Sequence, residues 1–128
     1  MASACPFCDP DSDRVFLVSD LIIGLWDKYP VSPGHALLVP RRHVPGWFDA
    51  SEEERQALTA ALENARDKIL EQHRPDGFNI GVNSGEAAGQ TIFHLHVHLI
   101  PRYKGDQEDP RGGVRRLIPT KARYWEDP

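Results

Sequence analysis

Apolar residues recur at two spacings along this 128-residue chain, and the switches between them outline its elements. Runs rich in β-branched and bulky side chains predict strands at RVFLVSD (14–20), at LIIGLWDKYP (21–30), closed by Pro30, and at HALLVP (35–40), entered through a Pro-Gly turn. From Ser51 the spacing becomes helical, and Leu58, Ala61, Leu62, Ala65 and Ile69 fall on one face. Ser51 and Glu54 form an S-x-x-E capping box, and acidic residues fill the first turn, where the helix dipole favours them. The helix ends near His73, because Arg-Pro-Asp-Gly cannot continue it. GFNIGVNSG (77–85) predicts a fourth strand that runs into a glycine-bearing loop, SGEAAGQT (84–91), and Ile92–Ile100, closed by Pro101, predicts a fifth. Beyond Pro101 the chain is polar and rich in Pro and Gly, and defines no strong element. Strands, one long helix and more strands, joined by short links, predict an α+β fold with an antiparallel sheet. No internal repeat or low-complexity stretch divides the chain. We expect one domain over 1–128, with an N-terminal segment at 1–14 and a tail at 105–128.

The fifth strand carries the chemistry. TIFHLHVHLIPR holds three of the six histidines at alternate positions. Alternate side chains of a strand point the same way, so His94, His96 and His98 share one face at intervals of about 7 Å, and Leu95, Val97 and Leu99 share the other. Three imidazoles opposite a core are poorly explained by packing. Two histidines at i and i+2 can reach one metal ion. A neutral imidazole is also a good nucleophile toward phosphorus, and its proton affinity suits transfer near neutrality. The strand alone leaves metal and nucleophile both open.

Composition narrows the partners. A 40% hydrophobic and 27% charged chain of this length is that of a soluble globular protein able to bury about two thirds of its unfolded surface. The formal net charge is −4 with no basic block, which argues against nucleic-acid binding but not against a small phosphate ligand held by neutral donors. No apolar run reaches the length of a membrane span, and MASACPFCDP lacks the features of a signal peptide, so we expect a cytoplasmic protein with no membrane partner. Two cysteines three positions apart cannot form a secreted disulfide framework.

The remaining candidates cluster around the histidines. Gly85 and Gly89 lead into the fifth strand with Gln90 and Thr91 at its mouth, so backbone amides, a carboxamide and a hydroxyl stand ready for an anion without adding charge. Cys5 and Cys8 form a C-x-x-C pair. A thioredoxin-type redox pair would open a helix, whereas DPDSD follows here, so half of a tetrahedral zinc site is the better reading. His43 and His94 are the candidate second half. His35, following Gly34, is either a structural histidine or one that orients the histidine strand. His73 is read as a solvated residue at the helix end.

The run His94-Leu95-His96-Val97-His98-Leu99-Ile100 resembles the signature of the histidine triad family. PVSPGHALLVPRRHV, GEAAGQT and HLHVHLIPR resemble its blocks in the right order, so the likeness extends over about residues 15–104. Its nearest likeness is to zinc-containing bacterial members and to the dinucleoside polyphosphate hydrolase (fragile histidine triad) branch. The resemblance implies an antiparallel sheet of about five strands with one long helix and a shorter one. It implies hydrolysis or nucleotidyl transfer at the α-phosphate of a nucleoside derivative. His96 would be the nucleophile, forming a covalent nucleotidyl-histidine. His98 would contact the scissile phosphate and leaving group, with His35 beside them. Gly89, Gln90 and Thr91 would bind phosphate, Asn83 would contact substrate and Asp27 would face the ribose hydroxyls. Cys5, Cys8, His43 and His94 would hold a structural zinc. Members of this family usually form homodimers. The tail DPRGGVRRLIPTKARYW differs from the hydrolase branch. Rival readings are a metal-dependent hydrolase with its ion on His96 and His98, a phosphorylase, and a nucleotide-binding module with little turnover.

Overall fold

Each apolar run becomes a strand of one five-stranded antiparallel sheet in the computed structural model, which describes residues 5–126. The outermost residues of the expected N-terminal segment and tail, 1–4 and 127–128, lie outside it. The strands are β1 (Val15–Val18), β2 (Ile22–Trp26), β3 (Ala36–Pro40), β4 (Gly77–Val82) and β5 (Val97–Arg102), in the spatial order β1-β2-β3-β5-β4. One α-helix, α1 (Glu52–Leu70), spans the connection between β3 and β4. Other helical segments among the described residues are 3-10 turns, so the shorter helical element expected beside α1 takes that form.

The capping box forms at the start of α1. Ser51 Oγ accepts from the Glu54 amide at 3.0 Å, and Glu54 Oε1 accepts from the Ser51 amide at 2.8 Å. Glu54 is nonetheless buried, because Arg42 grips both its oxygens, Nη2 to Oε1 at 2.7 Å and Nε to Oε2 at 3.1 Å. One carboxylate thus caps the helix and ties it to the segment after β3. At the other end Arg74 Nη1 donates to the Leu70 carbonyl at 2.6 Å, closing the helix a few residues before the proline.

Leu58, Ala61, Ala65 and Ile69 of α1 pack on one face of the sheet, against Ile22, Ala36, Leu38, Leu95, Val97 and Leu99. Leu25, Leu37 and Val39 point to the opposite face and are covered by Phe7 from the N-terminal segment. With both faces covered, β3 is buried along its whole length. It is entered through a turn in which the His35 amide donates to the Ser32 carbonyl at 3.2 Å. Gly34 in that turn has φ +88°, and a Cβ there would meet His73 Cδ2 at 3.0 Å and Ile69 Cγ2 at 3.2 Å, so glycine is required on two counts.

The fifth strand departs from its expected length. β5 begins at Val97, and its ladder to β3 covers only Ala36↔Leu99, Leu37↔His98 and Leu38↔Val97. Residues 94–96 peel away from β3, held by the Leu95 amide donating to the Val44 carbonyl at 2.8 Å. The alternation of faces nevertheless holds: Leu95, Val97 and Leu99 enter the main core, and the histidines, although His94 and His96 are also buried, are not part of it. No helix among the described residues is long and apolar enough to cross a membrane.

Glu54→Ala removes the reciprocal cap and both bonds to Arg42. We expect it to lower unfolding free energy by ~2 kcal/mol in urea titrations, against ~1 kcal/mol for Ser51→Ala, which loses one cap bond.

Candidate functional site

The peeled segment explains how two sites share one run of histidines. Because residues 94–96 leave the ladder, the His94 imidazole reaches the Pro40 carbonyl, with Nε2 at 2.7 Å. A carbonyl can only accept, so Nε2 carries the proton and Nδ1 holds a lone pair. That nitrogen faces Cys5 Sγ at 3.3 Å and Cys8 Sγ at 3.5 Å, while Cys8 Sγ lies 3.0 Å from His43 Nδ1. The four donor atoms of Cys5, Cys8, His43 and His94 all lie within 4.8 Å of one another. Sulfur and nitrogen ligands on one tetrahedral ion stand about 3.5 Å apart, so the set fits a closed two-Cys, two-His site. The His94–Pro40 bond supplies the outer partner that fixes a metal-binding tautomer. Burial lowers the His94 pKa, and the bond to Pro40 opposes this.

His96 has the opposite tautomer. Its Nδ1 lies 2.9 Å from the His94 carbonyl and must donate to it, which leaves the Nε2 lone pair free. Two residues on, a hydrogen-bonded chain sets His98. The Val31 amide donates to His35 Nδ1 at 3.1 Å, so His35 carries its proton on Nε2. That Nε2 stands 3.0 Å from His98 Nδ1 and 3.3 Å from Asp27 Oδ2. His98 Nδ1 therefore accepts, and its Nε2 bears the proton. Burial, reinforced by His96 and His35, pushes the His98 pKa down to about 4, so it is neutral near pH 7. Burial also lowers the His35 pKa, against the pull of Asp27. Adjacent imidazoles thus present a bare nitrogen and an N–H to the same space.

That space is a cleft of about 370 Å³ whose lining includes Asp27, His35, Asn83, Gly89, Thr91, His96 and His98. Gln90 is not among them. It is buried, its Nε2 donating to the carbonyls of Pro45 at 2.6 Å and Ile92 at 3.0 Å, and its Oε1 accepting from the Gly85 amide at 2.8 Å. The amides of Ala88, Gly89 and Gln90 turn inward to loop carbonyls. Gly89 is needed for its left-handed backbone, φ +92°, with no atom within 4 Å of an added Cβ. On this loop side of the cleft, the lining residues with neutral side-chain donors are Thr91, with its hydroxyl, and Asn83, with its carboxamide.

Sequence reasoning missed several walls. Pro6 and Phe7 line the cleft from inside the cysteine knuckle, and Leu37 and Ile92 add apolar surface. Leu37 was legible, standing two residues from His35 on the same strand face. Arg14 and Lys28 also line it, with Arg14 held by a 3.3 Å bond from Nη1 to the Trp26 carbonyl, and no local pattern marks either. The tail was unassigned. Its 3-10 turn at Gly113–Leu117 borders a second hollow of about 480 Å³, joined to the cleft across Asn83, His35 and His98 and walled by Ile80, Val82, Ile100, Val114 and Leu117.

The HIT domain family matches residues 11–105 of the chain. An uncharacterised HIT-like protein of Saccharolobus solfataricus is 30% identical over 124 residues, 94% of this chain and 89% of that protein. The bis(5'-adenosyl)-triphosphatase of Dictyostelium discoideum is 36% identical over 96 residues, 75% of this chain and 64% of the relative. Among solved structures, a Zn-bound histidine triad family protein from Mycobacterium smegmatis superposes with a TM-score of 0.73 at 29% identity, covering 94% of this chain and 95% of its own.

The neutral His98 makes stability depend on pH. The unfolded chain takes up a proton there near 6.5, whereas the folded chain refuses it until about 4. Unfolding therefore binds protons in that window, and stability, full above it, should fall as pH falls. Urea titrations of wild type and His98→Asn at pH 7 and pH 5 test this. The variant should lose less stability on acidification, and equal losses would refute the assignment.

Proposed function

The chain belongs to the HIT domain family, and we propose that it cleaves nucleoside 5′-phosphate derivatives at the α-phosphate, releasing the nucleoside monophosphate through a covalent nucleotidyl-histidine on His96. The observation that carries this reading is the His96 tautomer, whose Nδ1–H is spent on the His94 carbonyl and whose Nε2 lone pair is left at the cleft. Nε2 attacks phosphorus, and the bond from phosphorus to the leaving oxygen or nitrogen breaks. The departing atom keeps the electron pair, toward which His98 Nε2–H donates, held in place by His35. Water then displaces the histidine, the N–P pair returns to Nε2 and the water proton passes to solvent or to the departed group. Neutral donors, Thr91 and Asn83, spread the phosphoryl charge, preorganised on a strand and its entry loop. Asp27 accepts from the ribose hydroxyls at the far side of His35. Gln90 serves the phosphate indirectly, by holding the loop that presents Gly89 and Thr91. The adjoining apolar hollow receives part of the leaving group. The enzyme activity of the Dictyostelium discoideum relative supports this substrate class.

We assign the ion of the two-Cys, two-His site as zinc, supported by its donor chemistry and the Zn-bound Mycobacterium smegmatis structure. With four protein ligands it has a structural role, fixing the knuckle and the His94 ring. A cytoplasmic homodimer acting on small nucleotides completes the reading, supported by the family resemblance and by an edge strand, β4, whose Ile80 is 53% exposed.

A second reading rests on Asp27, His35 and His98, whose donor atoms also lie close enough to share an ion. This donor set differs from an ion on His96 and His98, since it includes His98 but not His96.

Incubating wild type and His96→Ala with an adenosine phosphoramidate, diadenosine tri- and tetraphosphate and a nucleotide sugar tests the main reading by chromatography. Wild type should release AMP from at least one, and the variant should be slower on the order of 10³-fold or more. AMP from both proteins at equal rates would sink the histidine mechanism.

Native mass spectrometry should find two chains and two zinc ions, and Cys5→Ser with Cys8→Ser should abolish the zinc and lower Tm by ~10 °C or more. At saturating substrate, chelation should lower turnover only as the fold is lost. Immediate loss of that turnover in a folded protein would favour the second reading.

A further inference from the structure

We infer that the Cys5–Cys8 knuckle couples the metal site to the nucleotide cleft, with Phe7 as the positioning residue that transmits between them. The inference rests on the nucleotide-hydrolase reading above. The knuckle has four residues: its ends, Cys5 and Cys8, belong to the metal donor set, and its middle, Pro6 and Phe7, lines the cleft. Phe7 is 5% exposed and closes the small core formed with Leu25, Leu37 and Val39. Its ring lies 5.0 Å from that of His96, tilted by 53°, and 5.9 Å from that of His94, edge-on at 86°. One ring therefore touches both a metal-ligating histidine and the nucleophile. The His94 backbone gives a second link, since its carbonyl orients His96 while its imidazole faces the cysteines.

The knuckle lies outside the sheet's ladders, and the packing of Phe7 against Leu25, Leu37 and Val39 helps anchor it. Clamping Cys5 and Cys8 orders Pro6 and Phe7 before a nucleotide arrives, so the nucleotide need not spend binding energy on that ordering. A nucleotide seated against Phe7 in turn restrains both cysteines. Coupling between two binding equilibria is reciprocal. AMP should then slow metal loss, and metal should tighten AMP binding by the same factor. Had the knuckle been remote from the cleft, the metal would stabilise the fold without touching nucleotide affinity.

The test uses full-length protein loaded with one equivalent of zinc. Zinc release to an excess of a coloured chelator is followed with and without saturating AMP, and AMP binding is measured separately by calorimetry. We expect AMP to slow release about 5-fold or more, within the usual range of coupling between sites. Phe7→Ala keeps all four donors and should hold zinc with a release rate nearly indifferent to AMP, while Phe7→Leu, which keeps apolar bulk, should restore part of the effect. AMP that binds without changing zinc release in wild type overturns the coupling and leaves the hydrolase reading standing. Undiminished protection in Phe7→Ala overturns the role of Phe7. If Phe7→Ala fails to hold zinc, Phe7→Leu alone decides, with full protection counting against the ring. AMP that does not bind wild type at all overturns the hydrolase reading together with the inference.

Discussion

His94 is held from both sides of its ring, and most of the site follows from that constraint. Nε2–H is committed to the Pro40 carbonyl, so Nδ1 must present a lone pair to the cysteines. For the ring to reach Pro40, residues 94–96 have to leave the β3 ladder, which stops at Leu38↔Val97. Leaving the ladder frees the His94 carbonyl, and His96 Nδ1–H takes it. The His94–Pro40 bond thus goes with the place where the strand begins and leaves Nδ1 of His94 able to ligate, and the freed carbonyl leaves Nε2 of His96 with a lone pair.

The neutrality of the histidines follows from where the sheet puts them. A sheet face open to water would leave imidazoles hydrated and partly protonated. Here the N-terminal segment covers that face, and burial lowers the pKa of His35, His94 and His98. Neutral rings have definite tautomers, and definite tautomers give direction to the chain from Val31 through His35 to His98. The desolvation that disfavours charge is also what sorts donors from acceptors.

Period-two and helical spacings were enough to place the strands, α1 and its capping box, because burial on one face leaves a regular imprint on sequence. The facing of His94, His96 and His98 was legible for the same reason, although the ladder does not extend to His94. A hydrogen bond from a side chain to a distant carbonyl leaves no such imprint, so the peeling of 94–96 was not. Gln90 looked like a phosphate donor because a carboxamide beside glycines is chemically suited to one. Its bonds to Pro45 and Ile92 depend on a loop that closes only in the folded chain. Arg14 and Lys28 reach the cleft through tertiary placement alone. The tail resisted reading because 3-10 turns bonded through Asp109, Arg111 and Arg123 have no periodicity to detect.

The helix-bearing face and the histidine-bearing face of the sheet carry different freedoms. The first is an interlocked core, where a change of volume is felt by every neighbour. The second is enclosed by the knuckle on one side of His98 and the Gly113–Leu117 turn on the other. Neither segment is a strand of the sheet. The walls of the cleft can therefore be lengthened, shortened or rewritten while the histidine strand keeps its register, as interchangeable jaws fit a fixed vice.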